Sequence, residues 1–138
     1  MRVLFAAILA VSAWANPASA QNVTDQVRQL LKLTSDSWIT VREFDGQDLL
    51  YFTHLLIYRC VLKEIRYGLN GAEASQVFEA EPCPSGMLGQ MIAPIEAEGH
   101  LPYLTFDLKS IDSVIVSISY DDGGVQTQQF QRANVMTP

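Results

Sequence analysis

The sequence predicts a mainly β domain: a small antiparallel sandwich or barrel of about seven to eight strands behind one N-terminal amphipathic helix. Three observations point there. Short runs rich in aromatic and β-branched residues recur between turn residues from Trp38 onward. One of them, "SVIVSISY", alternates apolar and polar residues without a break. The only helical periodicity lies before it, in "NVTDQVRQLLKLTSDS".

The chain opens with "MRVLFAAILAVSAWANPASAQ". Arg2, an apolar run from Val3 to Val11, and small residues Ala18 and Ala20 flanking Ser19 form the pattern of a secretory signal peptide over residues 1–20. The run is shorter than the roughly 20 apolar residues a spanning helix needs. Removing 20 of the 138 residues leaves 118, one exported domain at 21–138, with a helix over 21–36 and β structure over 37–138. The expected location is periplasmic or secreted, with no membrane span after cleavage.

In the helix, Val23, Val27, Leu30 and Leu31 fall at i, i+4, i+7 and i+8 and would cover one face of the sheet. Asn22 or Thr24 is placed to cap it. Arg28 and Lys32, four apart, share another side. After Ser37 the period changes. "WITVREF" alternates, and "DGQD" turns it back. Leu49 to Tyr58 is apolar on both parities, which fits a central strand or a buried helix; the strand is the expectation carried forward. "IYRCVLKEIRYGL" then reads as a strand bearing Cys60, with a bulge near Lys63-Glu64, because Cys60 and Leu62 share one parity and Ile65 and Tyr67 the other.

Asn70-Gly71 predicts a two-residue turn, which would set Leu69 opposite Ala72 and Arg66 opposite Ser75. "EASQVFEAE" returns as a strand, with Val77 and Phe78 on opposite faces. "PCPSGMLGQ" is a loop, "MIAPI" a short edge strand, and "HLPYLTFDL" a strand with Leu104, Phe106 and Leu108 on one face. Val114, Val116, Ile118 and Tyr120 line the apolar face of the next strand. Asp121 to Gly124 turn it into a polar edge strand.

Cys60 and Cys83 are the two cysteines of a chain expected in an oxidising compartment, so they are expected to pair. No histidine lies near either in sequence, which disfavours a reactive thiol, and neither has a second ligand at zinc spacing. No metal or cofactor is expected, and no P-loop, dinucleotide fingerprint, G-x-S-x-G elbow or H-E-x-x-H helix is present. His54 and His100 are read as a strand and a loop histidine. Glu79 with Glu81, and Glu96 with Glu98, are read as solvated charge rather than a glycosidic acid–base pair.

Nine Lys and Arg stand against 15 Asp and Glu, a net charge of −6. Without Arg2 the balance is 8 to 15, or −7. Such a chain is poorly suited to nucleic acid and better suited to a cationic partner. Tyr58, Arg59, Lys63, Arg66 and Tyr67 form the one candidate binding patch, with pairing of its cations to Glu64, Glu79 or Glu81 as the alternative. The leading functional expectation is a non-enzymatic interaction module that binds another envelope or secreted protein, an enzyme inhibitor or accessory factor being a specific form, through a loop such as Pro82 to Met91. A small-ligand or glycan binder using the Tyr58–Tyr67 region is a second reading. A small hydrolase using His54 or His100 with a carboxylate is a third.

Overall fold

The computed structural model describes residues 12, 22–96 and 98–138; the expected signal segment therefore lies outside the described residues, Ser12 apart. The fold is mainly β. Two antiparallel sheets, of three and four strands, are joined by few helices.

Helix α1 spans Asn22–Leu33. Val27 and Leu31 are fully buried and Val23 packs beside them, so the contact stripe is the i, i+4, i+8 row. Leu30, expected on that face, sits at its rim, 36% exposed. A 3-10 turn at Ser35–Ser37 follows. The indole of buried Trp38 then donates to the Leu31 carbonyl at 2.7 Å, satisfying one of the carbonyls a helix end leaves open.

The first sheet has the order β1-β2-β5, with β1 at Thr40–Phe44, β2 at Gln47–Tyr51 and β5 at Tyr103–Asp107. Phe44 pairs with Gln47 across Asp45 and Gly46, both with positive φ (52° and 72°), the backbone of the hairpin turn expected there. Leu104 and Phe106 of β5 pack on the core. Leu108 was expected on the same face, but it lies past the strand end and is exposed.

The strand expected over Leu49–Tyr58 ends at Tyr51. A short helix, α2 (Thr53–Leu56), and turns through Val61 replace it, so Cys60 sits on a turn and not in a strand. Phe52, Leu55, Leu56, Cys60 and Val61 are each at most 1% exposed. Phe52, Leu55 and Leu56, at spacings of three and four, share the inner side of the α2 turn, and the turns after it bury Cys60 and Val61.

The second sheet has the order β4-β3-β6-β7: β3 at Leu62–Leu69, β4 at Gln76–Val77, β6 at Ser113–Tyr120 and β7 at Val125–Gln131. The pairing of β3 with β6 shifts register between Leu62 and Glu64, where the change of parity placed a bulge. Val114, Val116, Ile118 and Tyr120 are buried and β7 is a sheet edge, both as expected. Asn70 and Gly71 turn the chain as expected, both with positive φ (55° and 85°) and with Ala72 N donating to Leu69 O at 3.0 Å; the register beyond the turn is corrected, since Arg66 faces Val77, not Ser75. Asn70 spends its side chain on a neighbouring loop, accepting from the amides of Asp112 (2.7 Å) and Ser113 (3.2 Å) and donating to Ser110 O (2.8 Å). The 70–75 loop folds over Gly68, where a Cβ would lie 2.1 Å from the Glu73 carbonyl oxygen. The strand expected in "EASQVFEAE" shrinks to two residues, and "MIAPI" forms no strand.

A last helical turn, α3 (Arg132–Val135), returns the chain to β1, where Met136 bridges Val41 and Thr137 N donates to Val41 O at 2.9 Å. One apolar core takes residues from α1 (Val27, Leu31), the first sheet (Val41, Leu50) and the second (Val116, Ile118). No helix of the described residues is long and apolar enough to cross a membrane.

Candidate functional site

Residues 78–96 and 98–102 form the longest irregular stretch among the described residues. Long segments without secondary structure in a compact domain are commonly functional. This one is fastened at many points to the α2 turn. Cys83 is disulfide-bonded to Cys60, with Cα atoms 5.0 Å apart. The amide of Gly89 donates to Cys60 O and that of Ala93 to Ile57 O, each at 2.9 Å. At its ends, Phe78 N donates to Ile65 O and Pro102 O accepts from Phe52 N, again at 2.9 Å.

Arg59 is the central fastener. Its buried guanidinium donates to three carbonyls: Pro82 O through Nε (3.1 Å), Leu56 O through Nη1 (3.0 Å) and Pro94 O through Nη2 (2.7 Å). The charge is met by Glu81, also buried, whose Oε2 lies 3.2 Å from Nη2. Glu81 Oε1 accepts from Glu96 N at 2.9 Å. A planar five-donor fork is what such a junction of three chain segments requires. Glu81 is thus not solvated charge. Its partner stands 22 positions earlier and is one of the patch cations whose pairing with Glu81 is the alternative reading, while Glu79, Glu96 and Glu98 are exposed as expected.

A groove of about 330 Å³ runs between β3 and the 78–83 stretch. Leu62, Ile65, Phe78, Ala80, Pro82 and Leu88 line it, with Lys63, Glu64 and Glu79 at its charged margin. Beyond the fasteners the segment projects apolar side chains outward: Leu88 is 79% exposed, and Ile92 and Leu101 are each 60% exposed.

The five residues of the sequence-based patch do not form one surface. Arg59 points inward. Arg66 is exposed and pairs with Glu64 at 3.0 Å, one of the alternative pairings. Tyr58 packs against the core with its ring 5.7 Å from His54. Tyr67 is half-buried beside Phe52, and burial raises its pKa. Lys63 alone stays on the groove margin as an exposed cation. The two histidines are placed differently from one another. His54 lies on α2, its Nε2 3.0 Å from Thr34 Oγ1. That hydroxyl donates to Leu30 O (2.7 Å), so it accepts from a ring that carries a proton on Nε2; burial lowers the His54 pKa. His100 follows a bend at 98–99 and is half-buried, its Nδ1 3.5 Å from Glu98 O. Among the described residues no group of His, Cys, Asp and Glu is clustered to hold a metal.

Compared with protein-family profiles, with curated proteins and with solved structures, the chain matches none.

Proposed function

We propose that this protein is an exported, non-enzymatic interaction module that binds another envelope or secreted protein through the 82–92 loop and the adjoining groove. The observation that carries the reading is the pairing of rigidity with exposure in one segment. An irregular loop is held by a disulfide, a buried Arg59–Glu81 junction and backbone bonds, yet it keeps Leu88 and Ile92 in solvent. Ordering a loop before binding removes much of the entropic cost of association. Exposed apolar anchors on such a loop are what a partner's recess buries.

Export rests on the residue 1–20 pattern and is supported by the paired cysteines. The two antiparallel sheets sharing one core support a sandwich-like arrangement, with α1 along one side as a cover. Exposed Glu79, Glu96 and Glu98 lie on the same segment, so a partner with a cationic rim around an apolar recess fits best. The non-enzymatic reading is supported by the use of Arg59 and Glu81 as internal fasteners and by His54 bonded to Thr34.

Affinity capture from envelope extract, with wild type and a Leu88→Asp/Ile92→Asp variant side by side, tests the proposal. The expected result is a discrete partner retained by wild type and lost with the variant, whose melting is unchanged because both side chains are exposed. Equal capture by the two proteins would overturn the assignment of the loop.

A further inference from the structure

We infer that the free edge of β7 is a second binding site, which accepts an extended polypeptide segment of another protein as an added antiparallel strand. The ladder between β6 and β7 is bracketed by two bonds of 2.9 Å, Tyr120 N to Gly124 O and Arg132 N to Asp112 O. They set its phase. Gln126, Gln128 and Phe130 turn their N–H and C=O groups toward β6, and Val125, Thr127, Gln129 and Gln131 turn theirs away. Val125, Thr127 and Gln129 thus offer outward donors and acceptors in a row, and Gln131 an outward N–H, its carbonyl being taken by the helical turn that follows.

Natural edges are usually blunted by charge, proline, bulges or shortness. β7 has none of these: "VQTQQFQ" is seven residues long, uncharged and regularly paired in a chain of net charge −6. The other edges differ. The C-terminal residues Met136 and Thr137 cover β1, β4 has two residues, and β5 carries Asp107.

The β7 edge also opens onto space of the right kind. Two hollows, of about 290 and 400 Å³, abut along its length. The first lies between Gln126–Gln128 and Lys32 with Trp38; the second lies between Gln129–Gln131 and Asp36 with Asn134. The wall is asymmetric in charge, Lys32 at the start of the strand and Asp36 near its end. A strand added antiparallel to β7 begins beside Gln131 and finishes beside Val125. Its first residues therefore meet Asp36 and its last meet Lys32. The occupant that fits is an extended segment with a basic residue or free amine leading, alternating apolar and polar residues between, and an acidic residue trailing.

The probe is a labelled heptapeptide with lysine first, glutamate last, and valine and threonine alternating between, set against its charge-reversed counterpart. Anisotropy should show the first binding at least about tenfold more tightly than the second. Amide exchange should slow at Thr127 and Gln129 and change little at Gln128 and Phe130, already bonded to β6. Gln129→Pro removes an outward N–H and should abolish binding; where that variant fails to fold, Asp36→Lys, which leaves a cation at each end of the wall, should erase the preference between the peptides. No binding of either peptide up to about 1 mM, equal affinity for both, or binding that survives Gln129→Pro or keeps its preference in Asp36→Lys overturns the inference. So does self-association of wild type lost in Gln129→Pro, which would give the edge to a second copy of this chain.

Discussion

Arg132 grips Asp48 with both terminal nitrogens: Nη2 lies 2.9 Å from Oδ1, and Nη1 donates to Oδ2. The Asp48 carboxylate is fully buried. It also accepts from the amides of Lys109 (3.0 Å) and Ile111 (3.2 Å). Arg132 spends its remaining capacity on Ile111 O and Glu43 Oε1, each at 2.8 Å. One carboxylate near the start of β2 thereby ties the first sheet to the 109–111 segment and to the chain leaving β7. A buried charge is tolerated where it is paired and hydrogen-bonded in this way.

This pairing sets the acid side of the stability profile. The Arg132 bonds, aided by the two amides and opposed by burial, lower the Asp48 pKa from 3.8 to about 2. A carboxyl with a depressed folded-state pKa adds stability above its unfolded value, and that stability is lost as pH falls through the folded one. The expected outcome is a loss on the order of 2 kcal/mol between about pH 4 and pH 2. It should be absent in Asp48→Asn, which should itself cost about 3 kcal/mol at neutral pH. Chemical denaturation at stepped pH measures both; a parallel pH profile for the variant would assign the acid transition to other groups.

The loop fasteners should behave as a coupled set. The 60–83 bridge closes about 24 residues, worth roughly 3.5 kcal/mol by loop entropy. Replacing both cysteines by serine should lower the melting temperature and expose the 84–92 stretch to protease before the sheets open. Glu81→Leu alone leaves Arg59 buried without its counter-charge and should cost about 3–5 kcal/mol. Adding Arg59→Met should recover part of that loss. Strict additivity in the double-mutant cycle would mean the two charges do not act as a pair.

The second sheet offers a test of face assignment. Ile118 is fully buried in β6, whereas Ser117 faces outward, its hydroxyl accepting from Thr127 Oγ1 at 3.2 Å. Ile118→Ala should cost about 2–5 kcal/mol. Ser117→Ala should cost less than about 1 kcal/mol, since it forfeits one exposed hydrogen bond. Urea midpoints for the two variants read this directly.

The features legible in the sequence are those set by near neighbours. Alternation placed Val114 to Tyr120 with the correct face inward, the parity change at Lys63-Glu64 marked the irregular register, and Asp45-Gly46 made its turn. The disulfide followed from a count of two in a chain expected outside the cytoplasm. What stayed hidden depends on distant partners. Leu49 to Tyr58 carries apolar residues on both parities, so a strand and a buried helical turn look alike until the packing decides. Asp48 reads as part of a polar turn, and only Arg132, 84 positions later, makes its burial possible. Glu81 carries two expectations, solvated charge and a pairing with the patch cations, and its burial against Arg59 decides for the second; the patch disperses because the Arg59 guanidinium also bonds carbonyls of its own chain.

The most direct test of the interaction reading is site-specific photocrosslinking in intact cells that produce the protein. A photoreactive side chain at position 88 samples what the loop touches, and one at position 45, on the β1–β2 turn, serves as the exposed control. The expected result is a single discrete adduct from position 88, absent at 45, and abolished when Ile92→Asp is added. Adducts of equal yield from both positions, or none from position 88 while the protein is folded and abundant, would contradict the claim that the 82–92 loop is the working surface.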